Sequence, residues 1–217
     1  MSQLPLNLIK KLYYKEEIST IEIAKRFGVT SWVIRRFMVK NNLPRRTFKE
    51  ANAVSFKRKP ISFSIKRNLS CKDKQLKTAG IMLYWAEGNK ASKRNFAIDF
   101  SNSDPKMITL FLKFLREICG VDEKRLRVLL YCYVNQDVKN IKKYWQKITE
   151  IPLTQFTKPY IRKDFRPEKS GKMKHGLAHI RYSDKKLFLK IQDWIKEYLK
   201  RNNIEGASTE AVKPGSL

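Results

Sequence analysis

Between residues 19 and 37 the chain is committed to a sharp corner between two short helices. Ser19 followed three residues later by Glu22 is a reciprocal capping pair, so a helix starts at Thr20. Ile23 and Phe27 lie four apart on its inner face, and Ala24 is small enough for another helix to cross closely. Gly28 takes the left-handed geometry that ends a helix. Val29 plugs the corner, Thr30 or Ser31 caps the next helix, and Val33, Ile34 and Phe37 bury its inner face. Upstream, Leu6 to Lys15 reads as a helix with Leu8, Ile9, Leu12 and Tyr13 on one face.

A small residue, a Gly four later and apolar residues in register beyond it complete a helix-turn-helix pattern. The outward face of the last helix carries Ser31, Trp32, Arg35, Arg36 and Lys40. Arg reads guanine edges in a major groove, and the others hold phosphates or pack on sugar. The charge agrees with a polyanionic partner: 47 Lys and Arg stand against 20 Asp and Glu, a net +27. Residues 1–75 hold 18 basic and 5 acidic side chains, and the remaining chain holds 29 and 15. Arg45, Arg46, Lys57 and Arg58 extend the basic character past the third helix, and residues 51–72 read as a basic linker tracking the backbone or entering a minor groove.

No window approaches the length of uninterrupted apolar sequence that a membrane span needs, and Met1–Pro5 begins no secretory signal. Cys71, Cys119 and Cys132 form no CxxC pair and no even disulfide set. The expected compartment is a reducing cytoplasm, in association with the nucleoid.

Leu76 to Ala86 is apolar on almost every side, which marks a helix buried all round or shared between two subunits. Glu87-Gly88 ends it. A carboxylate there faces the negative end of the helix dipole, so it needs a compensating cation. Asn95 to Ser101 alternates, with Phe96, Ile98 and Phe100 on one face and Asp99 on the other. Ser103 caps a helix that Asp104-Pro105 opens and Gly120 closes. Arg127 to Val134 is a strand with Arg127, Tyr131 and Tyr133 outward; Val138 to Ile148 is a helix; Gln155 to Arg162 is a strand. Leu177 to Tyr182 alternates again, with His179 and Arg181 outward, and Leu187 to Tyr198 gives the final helix. The order is helix, strand or hairpin, helix, strand, helix, strand pair, helix, with one polar, partly basic sheet face left over.

Ala79-Gly80-Ile81-Met82-Leu83-Tyr84-Trp85-Ala86-Glu87-Gly88, followed by a strand and by Asn102-Ser103-Asp104-Pro105 opening a helix, resembles the LAGLIDADG homing-endonuclease fold over about residues 76–200. Joined to an N-terminal helix-turn-helix, it is similar to bacterial LAGLIDADG-like proteins, some of which are regulators. The resemblance implies an α+β chain: a three-helix helix-turn-helix domain (1–50), a basic linker (51–72), an αββαββα domain (73–200) with one sheet face for DNA, and a disordered tail (201–217). It implies that Glu87 is the catalytic, metal-binding acid, with Gly88 at the metal end and Gly80 and Ala86 as small residues at the helix contact. A single motif implies a homodimer on double-stranded DNA, with two Glu87 side chains sharing Mg²⁺ for phosphodiester hydrolysis. Lys90, Lys93, Asn95, Arg127, Tyr131, His179 and Arg181 join the expected DNA contacts, and no small-molecule cofactor is expected. Met82 and Trp85 depart from the motif, being bulky where the family is small or acidic.

Three readings compete with this one. A catalytically inactive transcriptional regulator would use the same surfaces without Glu87. A splicing helper would prefer folded RNA. A three-carboxylate transposase would need Asp99, Asp104 and Glu150, but the helix after Asp104 is fully explained by core packing. His175 and His179, four apart, lack acid or Cys partners for zinc.

Overall fold

The Ser19–Glu22 pair forms as a complete capping box, with the Glu22 amide donating to Ser19 Oγ and the Ser19 amide to the Glu22 carboxylate. In a computed structural model of the chain, described over residues 4–89, 96–163 and 173–204, this box starts the second of three packed helices. The chain divides into two compact units, Met1–Pro60 and Ile61–Leu217.

The first unit contains α1 (Leu6–Lys10, continued by a wider π turn over Lys11–Lys15), α2 (Thr20–Arg26), α3 (Ser31–Lys40) and α4 (Phe48–Arg58). Ile9, Leu12, Ile23, Ala24, Ile34 and Met38 are buried together. Gly28, at φ +64°, makes the corner between α2 and α3. Helix α4 occupies the start of the stretch expected to be a linker. Thr47 and Glu50 close a second capping box that starts it, a T-x-x-E signal hidden among basic residues.

Residues 61–70 are no linker either, because they strap the second unit. The Ser64 amide donates to the Gly120 carbonyl at 2.9 Å and the Lys66 amide to that of Ile118 at 3.0 Å. The Asp122 amide donates back to the Ser62 carbonyl at 3.2 Å. The extended backbone of this strap supplies ladder-like partners to the end of a helix, which composition alone does not announce.

The second unit runs α5 (Cys71–Glu87), β1 (Ile98–Asn102), α6 (Pro105–Lys113, with a π continuation over Phe114–Ile118), β2 (Arg127–Tyr133), α7 (Val138–Thr149), β3 (Tyr160–Arg162), β4 (Leu177–Tyr182) and α8 (Lys185–Arg201). The architecture is α+β: eight helices with a four-stranded mixed sheet among the described residues. The sheet order is β1-β4-β2-β3, antiparallel except for the β2–β3 pair. Among the described residues this element order departs from αββαββα, because α6 intervenes between β1 and β2. Helix α5 begins at Cys71, capped by Ser70, five residues before its apolar run. Asp104, not Ser103, caps α6, with Pro105 in the first turn where a missing N–H costs nothing. Only Tyr160–Arg162 of the expected Gln155–Arg162 strand is a strand, since Leu153–Gln155 makes a 3₁₀ turn first.

One face of the sheet presents Ile98, Phe100, Val128, Leu130, Ala178, Ile180 and Tyr182 to a core shared with Ile108, Phe111, Leu115, Leu187 and Phe188. Phe100 stacks on Phe111 at 4.2 Å, and Phe111 on Tyr84 of α5 at 5.8 Å. Asp99, Ser101, Leu129, Tyr131, His179 and Arg181 take the other face, partly exposed, and Arg127 is exposed beside them. Lys90, Lys93, Asn95 and most of the expected tail lie outside the described residues. Among the described residues, no helix is long and apolar enough to cross a membrane.

Candidate nucleic-acid interface

In the first unit the site is built by α3. Ile34 and Met38 are fully buried, which fixes the helix about its axis and turns Trp32, Arg35, Arg36 and Lys40 outward, with Ser31 half-buried at its start. Trp32 is 61% exposed, and the Arg36 guanidinium lies 5.2 Å over its ring. Arg45 is exposed.

The other basic residues expected at DNA have intramolecular partners. Arg46 donates to the Tyr13 carbonyl and, at 3.4 Å each, to those of Glu17 and Ile18, and its guanidinium sits 4.1 Å over the Tyr13 ring. The Tyr13 carbonyl lies in the last turn of the first helix and those of Glu17 and Ile18 in the connection to α2, so Arg46 sets a cation at that helix end and pins the connection to it. Arg58 grips Glu22 with two nitrogens at 3.0 and 3.1 Å, and Lys57 reaches Glu17 at 3.1 Å. The Glu22 carboxyl is held down to about 2, first by the Ser19 amide and then by Arg58. These three cations fasten α4 and the first helix to the unit.

In the second unit Glu87 ends α5, exposed and without a hydrogen bond or ion pair among the described residues. The next residue, Gly88, has φ −78°, so it does not end the helix by a left-handed turn. It is glycine for want of space: a Cβ there would overlap the Tyr84 carbonyl oxygen and ring. Gly88 bridges Phe100, and the Asn89 amide donates to the Asp99 carbonyl at 2.8 Å, so the end of α5 is clipped onto β1.

The expected role of Gly80 in a contact between subunits is not what the structure gives. Gly80 is buried, and a Cβ on it would run into the ring of Phe114 in its own unit. Helix α5 is therefore not buried all round. Its inner face is Gly80, Ile81 and Tyr84, with Met82 partly buried against the same core, and its outer face carries Cys71, Gln75, Thr78, Ala79, Trp85 and Ala86, with Trp85 46% exposed. Ala86 thus lies on the outer stripe and Gly80 does not.

On the open sheet face, Asp99 is a hub. Its carboxylate meets Nδ1 of His179 at 2.9 Å and Nε of Arg181 at 3.0 Å. Arg181 is its direct cross-strand partner and His179 lies on the diagonal. With Nδ1–H given to Asp99, His179 Nε2 is buried without a partner among the described residues. Arg127 folds its guanidinium onto the carbonyls of Lys124 and Leu126, both at 2.7 Å. The Tyr131 ring lies 4.4 Å from His179 and 4.9 Å from Tyr160, and Tyr133 is buried rather than outward. Sequence reasoning did not single out Tyr160, Arg162 and Lys163, although their position in or beside an expected strand was available in the sequence.

Among the described residues no three His, Cys, Asp or Glu side chains lie together in a way that could hold an ion. Glu87 supplies one carboxylate, and Mg²⁺ bound by protein alone needs more oxygen ligands than that. No family model, no curated protein and no solved structure matches the chain.

Proposed function

We propose that this protein binds double-stranded DNA sequence-selectively, with α3 as the reading helix and a homodimer as the working form. The observation that carries the reading is the outer face of α3: Trp32, Arg35, Arg36 and Lys40 stand free of the core on a helix whose rotation Ile34 and Met38 fix. A helix after a glycine corner, with cations outward, matches major-groove docking physics. The net charge of +27 supplies the phosphate-seeking field. The outer stripe of α5, with small residues at Thr78, Ala79 and Ala86, suits a second copy of the same helix. The test is duplex binding by wild type and an Arg35→Ala/Arg36→Ala variant across salt concentrations. Removing one phosphate-binding cation lowers the salt slope by about one.

A second reading, homing-type cleavage, is favoured by Glu87 alone, exposed at the end of α5 with no cation satisfying it among the described residues. It calls for further ligands from a second copy and from DNA, because among the described residues no cluster of three His, Cys, Asp or Glu side chains includes Glu87. Plasmid cleavage with Mg²⁺, wild type beside Glu87→Gln, separates it from a non-cleaving regulator. Discrete cuts that disappear in the variant support the nuclease, and selective binding without cuts in either protein leaves the regulator.

A further inference from the structure

We infer that the open face of the sheet is a stacking site for an unpaired nucleobase, centred on Tyr160. His179 on β4, Tyr131 on β2 and Tyr160 on β3 form a continuous row of rings across three neighbouring strands. The row is held from one end. Asp99 fixes the His179 imidazole through Nδ1, and Tyr131 lies against that ring, tilted by 37°. At the other end Tyr160, the direct register partner of Tyr131, is 57% exposed.

Tyr131, Tyr160, Arg162 and Lys163 line an open trough along this edge. The Tyr160 ring thus lies open beside two cations, Arg162 and Lys163, with Ile161 as the apolar member of the lining. Ring faces beside cations fit a ligand with a flat π system and a phosphate backbone. In a duplex, the base faces are already stacked on one another. A sheet-borne tyrosine therefore reaches a base face only where the strand is unpaired, as in single strands, loops and flipped-out nucleotides. Tyr160 stacks the base, Lys163 meets the adjoining phosphate, and the His179–Asp99 pair keeps the row preorganised. This site does not depend on duplex recognition by α3, which belongs to the other unit.

The test is fluorescence anisotropy of the full-length chain with labelled oligo-dT, oligo-U and a blunt-ended two-strand duplex of equal phosphate number. Wild type is compared with Tyr160→Leu, which keeps apolar bulk but removes the ring, and with Tyr160→Trp, which keeps it. The expected result is at least about a fivefold loss of single-strand affinity in Tyr160→Leu, recovery in Tyr160→Trp and unchanged duplex binding. The dT and U arms tell whether the strand is DNA or RNA. Single-strand binding equal in wild type and Tyr160→Leu overturns the proposal, as does a parallel loss of duplex binding. Loss of duplex binding in Arg35→Ala/Arg36→Ala, with single-strand binding intact, reports on α3 alone and keeps the two readings separate.

Discussion

Gly80 of α5 and Phe114 of the helix that follows β1 meet so closely that no side-chain carbon fits between them. Phe114 is fully buried, so its ring cannot swing away. Gly80→Ala therefore overpacks the core, which costs about 1–3 kcal/mol, partly offset by the ~1 kcal/mol gain in helix propensity. Chemical denaturation is expected to show a lower midpoint with an unchanged oligomeric state. A variant of normal stability but altered self-association would return Gly80 to a subunit contact.

Arg46 and Arg35 separate structural from binding cations. Arg46 donates to three carbonyls and covers Tyr13, so Arg46→Ala is expected to cost about 2 kcal/mol of stability. Its loss of DNA affinity should follow the loss of folded protein. Arg35→Ala, at an exposed position, is expected to change stability by less than about 0.5 kcal/mol while weakening duplex binding. Thermal unfolding and binding titrations on the same preparations decide between them.

Glu22 makes the first unit acid-sensitive in a defined window. Its folded value, about 2, lies below the ordinary 4.5. A lowered folded value means the carboxylate stabilises the fold above the ordinary value and loses that effect as pH falls towards about 2. The difference in unfolding midpoint between wild type and Glu22→Gln should be largest at neutral pH and shrink through that window. A difference independent of pH would show that the Ser19 and Arg58 contacts do not depend on the charge.

Asp99→Asn removes the charge that joins β1 to both His179 and Arg181. The expected cost is about 1–3 kcal/mol, since donors packed on the sheet lose a charged acceptor. The freed Arg181 should also steepen the salt dependence of nucleic-acid binding. Denaturation and salt titration of the variant check both, and a variant as stable as wild type would make the hub incidental.

How far these features were legible depends on whether they are local. The Gly28 corner, the Ser19–Glu22 box, the alternation of Leu177–Tyr182 and the end of α5 at Glu87 are each written within a few consecutive residues. Helix α4 was equally local, yet the basic run around it outweighed the Thr47–Glu50 capping signal. The Asp99 hub was not legible, because it requires β1 to pair with β4, two strands separated by the rest of the unit. The same holds for Gly80 against Phe114 and for the ring row, where β3 joins β2 in parallel after α7. Arg46 and Arg58 looked like free cations because their acceptors, three carbonyls and Glu22, come from the opposite end of the unit.

Selection from a random duplex library on the immobilised full-length protein tests duplex reading by α3 most directly, with the Arg35→Ala/Arg36→Ala variant carried through the same rounds. Wild type should converge on one sequence motif, and the variant should retain little DNA and no motif. Convergence by both proteins on the same motif, or by neither, would contradict recognition through α3.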